Sequence, residues 1–203
     1  GNQNCGKTTL FRLLLGLLRP TGGSAVLTGG GETLDVSPST RCCFAYVPQD
    51  NVIFSGTVAE TLRLVRPDAP EEALWAALRA ACAEDFVRGL PGGLDCPLRE
   101  RGGSLSEGQN QRLAIARAIL ADAPILLLDE VTTGLDLSVQ AAVLDLIQQI
   151  RRDFNVSMLV VSHDLGVIRM LADRTLVMLD GRVIESGLTD QILEDPQHAY
   201  TQQ

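Results

Sequence analysis

The spacing of apolar and polar positions divides the chain into two kinds of segment. Strand patterns, which are short apolar runs bounded by turn residues, occupy residues 24–27, 43–47, 124–128, 157–161, 175–179 and 181–185. Helical periodicity occupies residues 9–18, 57–65, 70–88, 104–120, 138–152 and 163–172. The run at 124–128 is continuously apolar, which is typical of a strand buried on both faces of a parallel sheet, and 157–161 is predicted to be another buried strand.

The order of these segments predicts an α/β fold with an insertion. Strands and helices alternate at both ends of the chain, as they do in a mainly parallel sheet covered by helices. Between them, helical segments follow one another, separated by a Gly- and Pro-rich loop at residues 89–103. We therefore predict a single domain over residues 1–203, with a helical subdomain at about 50–120 inserted into a core made of 1–49 and 121–203.

Composition and charge exclude some classes of protein. Hydrophobic residues make up 45% of the 203 positions, which is enough for a substantial core. The net charge of −8 disfavours nucleic acid as a partner, because binding to a phosphate backbone needs a basic surface. No apolar run reaches the roughly 18 residues of a membrane-spanning helix. The 5 cysteines lack zinc-ligand spacing and are predicted to be reduced thiols.

The first residues carry a phosphate-binding pattern. GNQNCGKT, at positions 1–8, matches G-x-x-x-x-G-K-[ST], and a helical segment follows at once. In this pattern Lys7 reaches the β- and γ-phosphates and the Thr8 hydroxyl binds Mg²⁺, while backbone N–H groups surround phosphate oxygens. The predicted ligand is a nucleoside triphosphate with Mg²⁺, bound by Gly1, Asn2, Asn4, Cys5, Gly6, Lys7, Thr8 and Thr9.

Two further motifs lie downstream. In ILLLDE, at 125–130, an apolar strand ends in Asp129, whose carboxylate can hold the Mg²⁺ shell, and Glu130 can take a proton from attacking water. LSEGQ, at 105–109, begins a helix whose Ser106, Gly108 and Gln109 form a second N-terminus suited to phosphate. Taken alone, LSEGQ could be an ordinary capped helix, but its place between the other two motifs makes it specific.

Together these motifs resemble the nucleotide-binding domain of an ATP-binding cassette (ABC) transporter, over essentially the whole chain. The family's motifs appear in order: Walker A at 1–8, the Q-loop Gln49 in YVPQD, the signature at 105–109, Walker B at 125–129 with Glu130, the D-loop at 133–136, and the switch residue His163 in VVSHD. The resemblance implies a P-loop NTPase fold with ATP and Mg²⁺ as cofactors.

The resemblance also implies roles for these residues. Two such domains would enclose two ATP molecules, with Ser106 of one domain touching the γ-phosphate held by Lys7 of the other. Asp136 would help to couple the two sites. The implied catalytic residues are Glu130, His163 and Gln49, and the implied metal ligands are Thr8, Gln49 and Asp129. The implied partners are a second ATPase domain and transmembrane permease subunits, at the cytoplasmic face of a membrane.

Four positions in these motifs depart from the family's usual residues. Glu107 stands where glycine is usual, Asn110 where arginine is usual, Asn4 where glycine is frequent, and Gly134 where alanine or serine is frequent. Glu107 adds negative charge near a bound triphosphate, so the sequence predicts some effect on the hydrolysis rate.

Different segments of the sequence resemble different kinds of transporter. Residues 47–64 and 90–109 are similar to exporter cassettes, whereas 131–150, 162–187 and the tail DPQHAYTQQ at 195–203 are similar to dipeptide and oligopeptide importer ATPases. Because the tail has no catalytic duty, it favours the peptide-importer type, with a fused exporter as the alternative. A soluble ABC ATPase of DNA repair or translation and a non-hydrolytic regulatory module are less favoured.

The family places an antiparallel β-subdomain, with an aromatic residue that stacks on adenine, before Walker A. This sequence begins at the first P-loop glycine, and Phe44, Tyr46 and Phe54 lie after the P-loop. We therefore expect this chain to lack that subdomain.

Overall fold

A computed structural model describes residues 6–49, 56–98 and 105–202 of the chain. By its internal contacts the chain divides into two compact units. One is formed by Gly1–Phe44 together with Val160–Gln203, and the other by Ala45–Leu159. The helical subdomain expected at about 50–120 stays a prediction, because this division follows different boundaries.

The described residues contain α1 (Lys7–Leu14), α2 (Val58–Arg63), α3 (Glu71–Ala80), α4 (Glu84–Gly89), α5 (Glu107–Leu120), α6 (Leu137–Phe154), α7 (Leu165–Leu171) and α8 (Thr189–Glu194). Their strands are β1 (Val26–Gly29), β2 (Glu32–Asp35), β3 (Phe44–Val47), β4 (Gly56–Thr57), β5 (Pro97–Leu98), β6 (Ile125–Asp129), β7 (Ser157–Val161), β8 (Arg174–Leu179) and β9 (Arg182–Leu188). Short 3₁₀ helices lie at Pro38–Cys43 and Gly93–Asp95.

A three-stranded sheet with the order β3-β6-β7 forms the centre of the second unit. The N–H of Ser157 donates to the carbonyl of Pro124 at 3.0 Å, so β6 and β7 begin side by side and run in the same direction. Leu127 and Leu128 in the middle strand are completely buried. The predicted parallel strands at 124–128 and 157–161 are therefore confirmed, but only the first is buried along its length, since Val161 is the one buried residue of β7. The other sheets of the described residues are antiparallel pairs: β1-β2, β4-β5 and β8-β9.

A hydrogen-bonded helix end changes the predicted boundaries in the second unit. The predicted helix at 70–88 is in fact two helices, because α3 ends at a Schellman motif. Cys82 adopts a left-handed φ of 50°, and the N–H of Ala83 donates to the carbonyl of Leu78 at 2.7 Å. Cysteine is not a residue that signals such a motif, so sequence reasoning ran the two helices together.

The first unit contains α1, α7, α8 and two exposed antiparallel hairpins. The helix predicted at 9–18 is shorter, because α1 ends at Leu14. Gly16 has a φ of 63° and the N–H of Leu17 donates to the carbonyl of Arg12 at 2.8 Å, which closes a Schellman motif. The hairpin strand β2 was missed because every residue of its sequence, ETLD, is solvent-exposed and gives no apolar alternation.

The C-terminal segment packs on β9 within the first unit. The Glu185 carboxylate accepts hydrogen bonds from the N–H of Gln197 at 2.7 Å and from the N–H of His198 at 3.2 Å. The Thr201 side chain, together with these two N–H groups, lowers the pKa of Glu185. The tail that sequence analysis treated as a mark of lineage therefore has a structural role.

Within the parts of the chain that the structure describes, no helix has both the length and the apolar character needed to cross a membrane.

Candidate functional site

The N-terminus of α1 presents the last part of the predicted P-loop. Gly6 precedes the helix with a φ of 92°, a left-handed conformation that favours glycine, and its carbonyl accepts the N–H of Leu10 at 3.0 Å. A Cβ on Gly6 would also lie only 3.2 Å from the Cα of Gly181. The first turn contains Lys7, Thr8 and Thr9 and has no acidic residue.

Among the residues that the structure describes, none supplies a side-chain cap to this helix end. Its positive end is therefore not neutralised by a carboxylate of its first turn and suits an anion such as phosphate. The hydroxyl-bearing side chains Thr8 and Thr9 are exposed there, and Lys7 is half-buried. Four further predicted ligands, Gly1, Asn2, Asn4 and Cys5, lie outside the described residues.

The carboxyl end of β6 carries the predicted Walker B carboxylates. Asp129 is the last residue of the strand and is 6% exposed. The hydroxyl of Tyr46, in the neighbouring strand β3, donates a hydrogen bond to Oδ2 of Asp129 at 3.1 Å. Sequence reasoning did not select Tyr46 as a site residue. The available signal was its position three residues before Gln49.

Glu130 follows at once and has a left-handed backbone. Its φ of 48° costs a non-glycine residue on the order of 1–2 kcal/mol. The turn after it offsets this strain, because Thr133 donates its N–H to the Glu130 carbonyl at 3.0 Å and its hydroxyl to Oε2 at 3.3 Å. Four other non-glycine residues of the described chain share this conformation, so the catalytic role of Glu130 stays a prediction.

Gln49 lies two residues beyond the end of β3 and is exposed. Because β3 and β6 are neighbours in the sheet, Gln49, Asp129 and Glu130 all emerge at strand ends of the second unit. In open α/β sheets, ligands bind beyond the carboxyl ends of the strands. The structure thus places three of the predicted site residues where this rule locates a site.

The signature motif begins α5 with a reciprocal cap. The N–H of Gln109 donates to Oγ of Ser106 at 3.3 Å, and the N–H of Ser106 donates to Oε1 of Gln109 at 2.9 Å. A Cβ on Gly108 would lie 2.6 Å from Cγ1 of Val139 in α6. Gly108 therefore allows the first turn of α5 to pack closely against the first turn of α6.

Glu107 and Gly134, two positions that depart from the family pattern, lie beside each other. Oε2 of Glu107 is 3.7 Å from the point that a Cβ on Gly134 would occupy. Gly134 has a φ of 81°, so the turn between Glu130 and α6 uses glycine for its conformation as well as its size. The extra carboxylate thus faces the D-loop turn of its own chain.

Asp136 is the N-cap of α6. Its Oδ1 accepts the N–H groups of Val139 and Ser138, both at 3.0 Å, and the Ser138 hydroxyl at 2.7 Å. These hydrogen bonds, that of Val139 first, lower the pKa of Asp136. The structure gives Asp136 a capping role, and its coupling role stays a prediction.

His163 lies in the first unit, exposed between β7 and α7. The loop around it is fixed by its two neighbours. Ser162 Oγ accepts the N–H of Asp164 at 3.0 Å, and Oδ1 of Asp164 accepts the N–H of Gly166 at 2.8 Å to cap α7. This cap explains why the helix predicted at 163–172 begins only at Leu165.

A protein-family model described as "ABC transporter" matches residues 1–133. The chain belongs to this family and is an ABC transporter ATPase domain.

Several relatives resemble nearly all of the chain. The "Beta-(1-->2)glucan export ATP-binding/permease protein NdvA" of Rhizobium etli is 40% identical over 192 residues, covering 95% of this chain and 32% of that protein. The "ATP-dependent lipid A-core flippase" of Neisseria meningitidis is 39% identical over 197 residues, covering 95% and 31%. A solved bacterial Atm1-family ABC exporter with ATP bound matches with a TM-score of 0.83 at 32% identity, over 98% of this chain and 34% of that one. The chain spans about a third of the length of these relatives.

These relatives correct one expectation. The lean towards a peptide importer is not supported, because the similar proteins are exporter-type, and they favour the alternative of a fused exporter. The tail at 195–203 misled the sequence reasoning because its lack of a catalytic duty was taken to make it a mark of lineage. In the structure, the backbone of this tail donates two hydrogen bonds to Glu185.

Proposed function

We propose that this chain is the ATP-binding and ATP-hydrolysing domain of an ABC exporter, carried on the same polypeptide as transmembrane segments. The observation that supports this most is the similarity to fused export ATP-binding/permease proteins over 95% of the chain, which accounts for only 32% of such a relative. The proposed partners are a second ATPase domain and the transmembrane domains, at the cytoplasmic face of a membrane. With its net charge of −8, the chain is not proposed to bind nucleic acid.

The proposed cofactors are ATP and Mg²⁺. The uncapped N-terminus of α1 suits the phosphates, with Lys7 as the counter-charge. Thr8, Gln49 and Asp129 offer only oxygen ligands, which Mg²⁺ prefers, and the buried Asp129 carboxylate at the end of β6 is already held by a hydrogen bond. When bound, Mg²⁺ supplies positive charge that neutralises the phosphate oxygens.

The other predicted site residues have separate proposed roles in hydrolysis and in coupling. Glu130 accepts the proton of the attacking water, and His163 donates a hydrogen bond towards the γ-phosphate. Ser106, Gly108 and Gln109 offer the N-terminus of α5 to the nucleotide of the partner domain. Gln49 links the site to the transmembrane domains, and Asp136 couples the two sites.

A Glu130→Gln change in the full-length polypeptide tests the catalytic part of this proposal. We expect ATP hydrolysis to fall by about 10²-fold or more, because the general base is lost while the shape of the side chain is kept. ATP binding is expected to persist. The control is Glu72→Gln, which removes an exposed carboxylate of α3. Phosphate release at the wild-type rate by the Glu130→Gln protein would refute the role of Glu130.

The fused-exporter part is tested by reading the open reading frame upstream of the codon for Gly1. We expect several apolar stretches of helix-spanning length in the same frame. A start codon within a few dozen residues, without such stretches, would show a stand-alone ATPase subunit and contradict the proposal.

A further inference from the structure

We infer that Tyr46 is a positioning residue of the ATPase site, whose hydroxyl fixes the orientation of the Asp129 carboxylate for Mg²⁺. This inference rests on the proposed function. It assigns a role to Tyr46, which lies three residues before Gln49 in the Q-loop segment YVPQD, and it is carried by the hydrogen bond from the Tyr46 hydroxyl to Oδ2 of Asp129, at 3.1 Å.

Tyr46 is held in place by the strand that carries it. Its neighbours in β3, Ala45 and Val47, are 5% and 0% exposed. Because side chains alternate across a strand, Tyr46 lies on the opposite face from these two residues. Strand β3 is hydrogen-bonded directly to β6, whose last residue is Asp129. The phenol is therefore anchored by a strand on which both neighbours are packed.

The buried Asp129 carboxylate requires hydrogen-bond donors and a fixed orientation. A carboxylate that is only 6% exposed must have hydrogen-bond donors, because burial without them is costly. The terminal torsion of aspartate is also soft, so nothing in the side chain itself fixes the plane of the two oxygens. A donor to Oδ2 from a rigid aromatic side chain restricts that rotation.

The donor to Asp129 is a neutral hydroxyl group rather than a cationic side chain. A lysine or arginine in this place would neutralise the carboxylate that has to bind a cation. A tyrosine hydroxyl donates one hydrogen bond but carries no charge at neutral pH. Tyr46 thus satisfies part of the buried carboxylate and leaves its negative charge in place. Partners of this kind behind metal ligands typically affect metal affinity by about 10–100-fold.

The experiment is a Tyr46→Phe change in the full-length polypeptide, with Mn²⁺ as a paramagnetic substitute for Mg²⁺. Binding of Mn²⁺ is titrated by electron paramagnetic resonance in the presence of a non-hydrolysable ATP analogue. We expect the affinity for Mn²⁺ to fall by about 10-fold. Affinity for the analogue in EDTA should stay within twofold of wild type. The matched control is Tyr200→Phe, which removes the hydroxyl of the other tyrosine of the chain.

A double-mutant cycle with Asp129→Asn separates positioning from general damage. Because the proposed effect acts through Asp129, Tyr46→Phe should cause no further loss of Mn²⁺ affinity in the Asp129→Asn background. A further loss there, or unchanged Mn²⁺ affinity in the single Tyr46→Phe protein, would overturn the inference. A wild-type protein that binds no metal–nucleotide complex would instead overturn the proposed function itself.

Discussion

At the scale of single residues, Glu107 is the most informative departure from the family pattern. Its carboxylate is exposed at the first turn of α5 and lies beside Gly134, so a negative charge stands at a helix end proposed to face a triphosphate. That charge complements the helix dipole of α5, and in the proposed dimer it would repel the phosphates that this helix end faces.

We therefore expect Glu107→Gln to raise ATP turnover in the full-length dimer by up to about fivefold, the range expected for one exposed charge. The increase should shrink at high salt, because screening weakens the repulsion. Steady-state hydrolysis at 0.05 M and 0.5 M salt measures both effects. Asp68→Asn, in an exposed loop, is the control. A change that does not depend on salt would mean that Glu107 acts through the turn at Gly134 rather than through charge.

The residue scale also shows what the sequence could and could not reveal about the site. Glu130 and Asp129 were predictable because they follow an apolar run within a known pattern. The bond between Tyr46 and Asp129 was not, because it joins positions 83 residues apart and depends on the strand order β3-β6-β7. Periodicity reveals which face of a strand is buried but not which strand lies next to it.

At the scale of elements, helix ends account for most differences between prediction and structure. The strand at 157–161 was predicted with its observed bounds, because the apolar residues 158–161 are bounded by polar residues on both sides. The break between α3 and α4 was missed, since a left-handed cysteine ends α3. The end of α1 was misplaced because the apolar pattern continues to Leu18, whereas the left-handed Gly16 ends the helix earlier.

The connection between α3 and α4 is strengthened by a charged cluster. The Glu84 carboxylate accepts hydrogen bonds from Nε of Arg79 at 2.7 Å and from Nη2 of Arg88 at 2.8 Å. The Arg88 guanidinium in turn lies 4.1 Å from the centre of the Trp75 ring. These hydrogen bonds, that of Arg79 first, lower the pKa of Glu84 to about 2.

Because the pKa of Glu84 is depressed in the folded state, its contribution to stability is present above the usual value of 4.5 and is lost as the pH falls towards about 2. We expect Glu84→Gln to lower the urea midpoint of unfolding at pH 7. The difference from wild type should shrink progressively below pH 4.5. Urea titrations at pH 7, 5, 4 and 3 measure this. Glu72→Gln is the control, and a difference that persists unchanged at pH 3 would contradict the assignment to this cluster.

At the scale of the whole molecule, the type of transporter was harder to predict from the sequence than the fold. The α/β class, the parallel sheet and the order of motifs follow from patterns that the chemistry of nucleotide binding requires. The distinction between importer and exporter rests on surfaces that meet other parts of a transporter, and such surfaces leave no periodic signal. The exporter-like segments at 47–64 and 90–109 agreed with the relatives, whereas the weight given to the tail at 195–203 did not.

The role of that tail can be measured in the full-length polypeptide. If the tail stabilises its unit through Glu185, two changes should each lower the thermal midpoint by a few degrees. Glu185→Gln removes the charged acceptor, and deletion of residues 195–203 removes the N–H donors. Their effects should not add, because both break the same contact. ATP turnover per folded protein should be unchanged. Asp153→Asn, at the exposed end of α6, is the control. Additive losses would show that the tail is held mainly by contacts other than Glu185, and unchanged midpoints would show that its docking contributes nothing to stability.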